Sequence, residues 1–304
     1  MIDCLFIVNS KAGTVARSGS LLRQLRTEGT EIIEPEFGAI DKQLEPYLAT
    51  VETIAVEGGD GTLTGVIDAL LRVADEDKPL PKILLISGGS TNLVASAIGA
   101  PRTKQELADL LAGDGELVHL PALRIEGAED DVERAGFFLA SGSIPKASTF
   151  CREAIQERGV RGMSSVFIAI ASVLLGNSKR RKALMAPTTF EADADGSSVG
   201  PSHRFSVVTT LPRLTKRFVP FWAKGSAPIN LLVADADSKG LARAFVRSVT
   251  GRADERLERD GYISRRSNEV SLAHDGPYLL DGESFSGKQI KVSASRPIPF
   301  QVVA

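Results

Sequence analysis

Over the first third of the chain, short apolar runs alternate with amphipathic stretches. Ile2–Val8, Glu31–Glu34, Thr53–Glu57 and Lys82–Ile86 are apolar, partly β-branched and bounded by turn residues, which predicts buried strands. Between them, Ser18–Thr27, Leu44–Ala49, Leu63–Val73 and Leu93–Ile98 carry apolar residues at helical spacing. Parallel strands need a long return path, usually a helix, so this alternation predicts a Rossmann-like parallel sheet with crossover helices. Ligands of such sheets sit at the carboxyl ends of the strands. The loops there are rich in small residues: Asn9-Ser10-Lys11-Ala12-Gly13-Thr14, Gly58-Gly59-Asp60-Gly61-Thr62 and Gly88-Gly89-Ser90-Thr91-Asn92.

The second half has a different rhythm. Val118–Glu126, Gly136–Ala140, Thr189–Ala192, Arg204–Leu211, Ile229–Ala234, Glu269–Ala273 and Gln289–Ser295 read as strands, several with alternating apolar and polar positions. Helical patterns interrupt them at Phe150–Arg158, Met163–Gly176 and Gly240–Val249. Many strands with few helices predict a β-rich, sandwich-like second domain. The overall class is α/β, with a parallel-sheet domain over 1–115, a boundary near Gly113–Gly115 and the β-rich domain over 116–304. The acidic stretch Glu129–Glu133 reads as a solvated hairpin loop.

Composition narrows the function classes. The 304 residues are 43% hydrophobic and 24% charged, ordinary values for a globular protein of about two domains. A net charge of −2 lacks the basic excess of a nucleic-acid binder, so no nucleic-acid partner is expected. Cys4 and Cys151 form neither a disulfide framework nor a metal-ligand spacing, which fits a reducing, cytoplasmic compartment. The N-terminus lacks the basic region of a signal peptide. Met163–Gly176 is shorter than the roughly 20 apolar residues that span a bilayer.

The most specific chemical motif is the run from Val56 to Leu71, which leaves a strand and opens a helix. Gly58, Gly59 and Gly61 let the backbone approach a ligand closely, and N–H groups at a helix N-terminus favour phosphate. A bare carboxylate would repel phosphate, so Asp60 makes sense facing a metal ion or an attacking hydroxyl. Gly282 to Gln289 mimics a P-loop spacing but ends in Gln and runs into the alternating pattern of a strand. A P-loop needs a following helix, so that reading fails. His119, His203 and His274 are scattered without ligand spacing, and the chain has no GxSxG elbow of a Ser-His-Asp hydrolase.

These motifs together resemble the diacylglycerol kinase catalytic domain family, which includes bacterial diacylglycerol and YegS-like lipid kinases and sphingosine kinases. Gly58-Gly59-Asp60-Gly61-Thr62 lies between the upstream loop Asn9–Gly13 and the downstream loop Gly89-Ser90-Thr91-Asn92. Near the C-terminus, Asp281-Gly282-Glu283 matches the family's D-G-E. The resemblance implies an ATP-dependent lipid kinase with MgATP as donor and a diacylglycerol-like or sphingoid acceptor. Carried over position by position, it puts the nucleotide at Asn9, Ser10, Lys11, Ala12, Gly13, Gly58, Gly59, Asp60, Gly61, Thr62, Leu63, Thr64, Ser90 and Asn92. Asp60 would organise Mg²⁺, and Glu283 or Asp281 would take the proton of the lipid hydroxyl. The motifs depart from the family pattern at Ser10, Ser87 and Leu93, where members carry proline, proline and Asp. No acid lies in Lys224–Asn230 to hold the second domain's structural Mg²⁺.

An NAD kinase shares the GGDGT loop, but no TGSTAY-like acceptor motif follows here. A regulator that binds nucleotide or lipid without turnover is the third reading. Two segments invite peripheral contact with an anionic membrane surface at the inner face. One is Met163–Gly176 followed by Lys179-Arg180-Arg181-Lys182. The other is Arg213–Gly225, where Phe218, Phe221 and Trp222 lie among Arg213, Lys216, Arg217 and Lys224. Oligomeric state is open, a dimer included.

Overall fold

The computed structural model describes residues 4–89, 92–130, 132–146, 188–200, 202–215, 218–274 and 276–303. The predicted helices Phe150–Arg158 and Met163–Gly176, the basic cluster 179–182, and Ser90, Cys151, Lys216 and Arg217 lie outside these residues. The chain divides into two compact units: 1–122 with 296–304, and 123–295. Among the described residues no helix is long and apolar enough to cross a membrane.

The first unit is an α/β layer. Its sheet runs β2 (Thr30–Ile33), β1 (Cys4–Val8), β3 (Thr53–Gly58), β4 (Lys82–Ser87), β18 (Ile298–Val302), β5 (Glu116–Leu120). All neighbours up to β18 are parallel, and β5 closes the edge antiparallel to β18. The central strands are buried end to end, as a sheet covered on both faces requires. The long helix α4 (Asp60–Val73) turns Leu63, Val66, Ile67 and Leu70 inward at helical spacing.

Several predicted elements are redrawn. The helix expected over Ser18–Thr27 is two short ones, α1 (Gly13–Ser18) and α2 (Leu21–Gln24). Gly19 at φ 79° ends the first, and the Ser20 hydroxyl caps the second by accepting from Arg23 N. The helix expected over Leu44–Ala49 lies earlier, as α3 (Ile40–Leu44). α5 (Leu93–Ile98) matches its prediction, and α6 (Lys104–Leu111) opens on a capping box between Thr103 and Glu106. The strand expected over Val118–Glu126 is two, β5 and β6 (Leu123–Glu126), in different sheets and different units. Pro121 lies between them; it fixes φ and donates no hydrogen bond, so the ladder stops there. A boundary at 115 with everything later in the second domain is therefore corrected. Residues 116–122 and 296–304 belong to the first unit, because β18 returns to pair with β4 and β5 pairs with β18.

The second unit is antiparallel and β-rich. One part orders β9 (Thr188–Ala194), β14 (Glu269–His274), β17 (Gln289–Ala294), β6 and β7 (Arg134–Gly136), with the two-residue β10 (Ser197–Ser198) on β9. The other orders β16 (Glu283–Ser286), β15 (Pro277–Leu280), β8 (Phe138–Gly142), β11 (Ser202–Thr209), β12 (Ile229–Asp235) and β13 (Tyr262–Ser267). β9 and β11 join them. Both parts turn their apolar positions into one core, including Ile125, Val270 and Val292 from the first and Leu139, Leu231 and Tyr278 from the second. The loop with the acidic residues joins β6 to β7, and Asp130 and Glu133 are paired there with Arg134 and Arg124.

Candidate functional site

β1, β3 and β4 are consecutive parallel neighbours, so the loops leaving their carboxyl ends emerge side by side. The backbone stitches them together. Asn9 N donates to Glu57 O at 3.0 Å, Gly88 N to Gly58 O at 2.7 Å and Thr14 N to Gly88 O at 2.9 Å. Asn9 adds a side-chain clasp, with Nδ2 donating to Thr62 Oγ1 at 2.8 Å and Oδ1 accepting from Lys11 N at 3.1 Å.

The glycines allow this closeness. A Cβ on Gly89 would stand 2.6 Å from Gly59 Cα, and one on Gly88 would stand 3.0 Å from the Gly58 backbone. A Cβ on Gly58 would meet the Thr62 side chain at 2.5 Å. At Gly13 and Gly61, by contrast, nothing among the described residues lies within 4 Å of a built Cβ, so neither glycine is required for space. Gly59 caps α4 with extended backbone, and no side chain caps this helix. Its first N–H groups point out of a 14-residue helix that opens beside two other small-residue loops. Backbone donors and helix dipole together favour an anion at such a place.

Asp60 is the first residue of α4 and is half-buried. Its Oδ1 accepts from Val94 N at 3.3 Å, so its carboxylate caps the start of α5. Burial pushes its pKa above the ordinary 3.8, while N–H groups of Leu93, Val94 and Asn92 pull in the other direction. Asn92 holds the intervening turn: it sits at φ 50°, accepts from Gly89 N at 3.0 Å and donates to Gly89 O at 2.8 Å. No group of three or more His, Cys, Asp or Glu gathers to hold a metal among the described residues. The donor set is one aspartate beside an anion-binding edge. That suits an ion shared with phosphate oxygens and water, and not a cage built from protein alone.

The predicted site residues do not all present side chains here. Leu63 is fully buried in the α4 core and can serve only through its backbone. The Ser10 hydroxyl is engaged by Glu34 Oε2 at 2.9 Å, and Glu34 also accepts from Arg23 at 2.7 Å. Lys11 is exposed, and Thr64 is half-buried one turn into α4.

Glu57, just before the glycines, is a participant that motif reading passes over. It is 3% exposed, yet its carboxylate accepts from Ser20 Oγ at 2.5 Å, Leu21 N at 2.8 Å and Leu22 N at 3.1 Å. Buried charge needs such compensation, and here it pins the start of α2 to the end of β3. The available signal was a carboxylate closing the apolar run Thr53–Glu57.

In the second unit, Asp281-Gly282 forms the two-residue turn of the β15–β16 hairpin, with Leu280 opposite Glu283. Both turn residues have positive φ, 47° and 93°, the type I′ geometry that matches strand twist. Asp281 is fully engaged: its oxygens accept from Phe137 N and Phe138 N, each at 2.9 Å, and its own N donates to Phe138 O. Glu283 is exposed at the first position of β16. Arg134 braces the same strand, its guanidinium 4.4 Å from the centre of the Phe285 ring while it pairs with Asp130. That pairing holds the Asp130 carboxyl down at about 2.

Residues 3–120 match the model of the diacylglycerol kinase catalytic domain. A curated relative from Stenotrophomonas maltophilia (strain K279a), a probable lipid kinase described as YegS-like, is 28% identical over 165 residues. The match covers 53% of this chain and only about half, 52%, of the relative. The crystal structure of a diacylglycerol kinase from Bacillus anthracis str. Sterne superposes with a TM-score of 0.65 at 16% identity, covering 98% of this chain and 96% of that one. A second structure from the same organism reaches 0.71 at the same identity and coverage. At that identity the likeness establishes the shared fold, a parallel-sheet unit followed by an antiparallel β-rich one.

Proposed function

We propose that this chain, with its diacylglycerol kinase catalytic segment over 3–120, is a lipid kinase that moves the γ-phosphoryl group of ATP to a lipid hydroxyl. The observation that carries the reading is the stitched edge of β1, β3 and β4. There the open helix start at Gly61, the Asn9–Thr62 clasp and the half-buried Asp60 stand together. Phosphoryl transfer needs positioning and charge neutralisation more than covalent chemistry from the protein, and this edge supplies both.

In the proposed reaction, backbone N–H groups of the three loops bind the donor phosphates. Asp60 would hold the Mg²⁺ that travels with the nucleotide, an ion that offsets phosphate charge when bound. Glu283 accepts the proton of the acceptor hydroxyl as its oxygen bonds to the γ-phosphorus. The bond from that phosphorus to the bridging oxygen breaks, and ADP leaves. Asp281 is assigned to holding the hairpin, since both of its oxygens are already engaged by backbone N–H groups. The acceptor class extends from diacylglycerol to sphingoid bases.

The test is transfer of labelled γ-phosphate from ATP into mixed micelles holding diacylglycerol, monoacylglycerol, sphingosine, ceramide or phosphatidylglycerol, with NAD as a separate acceptor. Label in one lipid, lost in Asp60→Ala and in Glu283→Gln, is the expected result. For Glu283→Gln the loss is about 10²–10⁴-fold, the usual worth of a general base. Label in NAD alone, or ATP binding with no transfer to any acceptor, would overturn the reading.

A further inference from the structure

The helix α7 (Leu241–Val249) in the second unit presents an unusual outer face. Its inner side is conventional: Ala244 and Leu241 pack with Trp222, Tyr262, Leu257 and Phe205. Phe245 meets Phe218 with ring centres 5.7 Å apart. The adjoining loop is tied along the helix by Val219 N donating to Ser248 O at 3.0 Å. Trp222, a candidate membrane aromatic in the sequence, is thereby an anchor of this small core, with its indole nitrogen buried.

The outer side is apolar as well. Ala242, Val246 and Val249 follow one another at helical spacing, and all three are exposed. Val246 is 58% exposed and Val249 37%. Among the described residues they are the only two large exposed apolar side chains on one element. The flanks are basic. Asp260, Asp254 and Glu258 are each held by an arginine: Arg243, Arg247 and Arg265. That leaves exposed Lys224, Lys239, Arg252, Arg256 and Arg259 against exposed Asp237 and Glu255. The chain between Asp195 and Asp235, which includes the loop beside α7, contains no acidic residue at all.

We propose that this face of α7, with its basic flanks, docks on an anionic lipid surface. An apolar stripe inserts at the boundary of headgroups and acyl chains, and the cations meet the headgroup charge. The inference extends the lipid-kinase reading, whose acceptor resides in such a surface. It also stands on a face whose valines, Val246 and Val249, are exposed among the described residues.

The experiment is co-sedimentation of the full chain with phosphatidylcholine vesicles, with and without phosphatidylglycerol, in the absence of ATP. Binding that requires phosphatidylglycerol and falls with salt is expected. Val246→Asp with Val249→Asp should weaken it by about tenfold per residue. Lys239→Glu with Arg252→Glu should weaken it by at least about fivefold per charge. Both pairs are exposed, so melting temperatures should stay at the wild-type value. Transfer to a short-chain acceptor dispersed in detergent should also be unchanged, which separates docking from catalysis. If the wild type ignores anionic vesicles, or both variants bind as well as it does, the inference falls while the kinase reading keeps its own test. Loss of self-association in the valine variant, with vesicle binding intact, would assign the face to a second copy of the chain and overturn it.

Discussion

The dipeptide Asp-Gly stands at both candidate regions, as Asp60-Gly61 and Asp281-Gly282, and the glycines around it answer different needs. At the sheet edge of the first unit, Gly58, Gly59, Gly88 and Gly89 all have ordinary negative-φ or extended backbone and are required for space. In the hairpin of the second unit, a Cβ on Gly282 would touch nothing within 4 Å, and its glycine is required for angle, at φ 93°. The aspartates diverge likewise. Asp60 is half-buried and caps a helix from another loop, and Asp281 locks its own turn to the neighbouring strand. One sequence motif therefore encodes a crowded, open-mouthed cradle in one place and a rigid bracket in the other.

Gly89→Ala puts a methyl group 2.6 Å from the Gly59 Cα, which is backbone and cannot swing away. Overpacking of this kind costs about 1–3 kcal/mol, and the upper end is expected here. Denaturant unfolding should show that loss, and the proposed nucleotide binding should fail with it. Asp281→Ala comes next. It strands the N–H groups of Phe137 and Phe138, at about 1–3 kcal/mol for an unsatisfied buried donor. Its chemical shifts should change along β8 and β15, and Asp281→Asn should recover part of the stability.

Gly282→Ala is milder, about 1 kcal/mol, because the strain is conformational and the space is free. Gly282→Asn should cost less than Gly282→Ala, since Asn tolerates the left-handed region. No such rescue is expected for Gly89→Asn. Equal losses for Ala and Asn at 282 would erase the distinction between space and angle.

The smallest effect concerns pH. Burial raises the Asp60 pKa above 3.8, so in the folded protein ionising this group is disfavoured. Its contribution to stability is present below the unfolded value and is lost as pH rises through the folded one. Under the proposed role of Asp60, activity requires the ionised form and should move oppositely, with an acid limb above the ordinary aspartate value. Asp60→Asn should remove the Asp60 contribution from both curves. A limb that persists in that variant's residual activity would assign the titration elsewhere.

Legibility of the fold varied with the type of signal. β1, β3, β4 and α5 follow their apolar patterns to within a residue or two, because strands buried on both faces are written as unbroken apolar runs. β18 and β13 escaped. Ile298–Val302 is interrupted by Pro299, and Tyr262–Ser267 carries two arginines, so neither shows the period that identifies a strand. The split of α1 from α2 turned on a single left-handed Gly19 followed by a capping serine, a local device that average periodicity passes over.

Residue types and their spacing already carry the chemistry available and its order: three small-residue loops after three apolar strands, a lone aspartate among glycines, and an Asp-Gly turn carrying a glutamate. These are local facts, encoded by spacing and by residues whose backbone freedom is unusual. The tertiary structure alone decided which groups remain for chemistry. It put Leu63 into the core, spent Asp281 on the β8 backbone and left Glu283 in solvent. It also returned β18 to the first sheet and drew Glu57 into the packing of that unit. Those outcomes depend on contacts between residues tens to hundreds of positions apart. Burial and hydrogen bonding are properties of such pairs, so no single stretch of chain carries them.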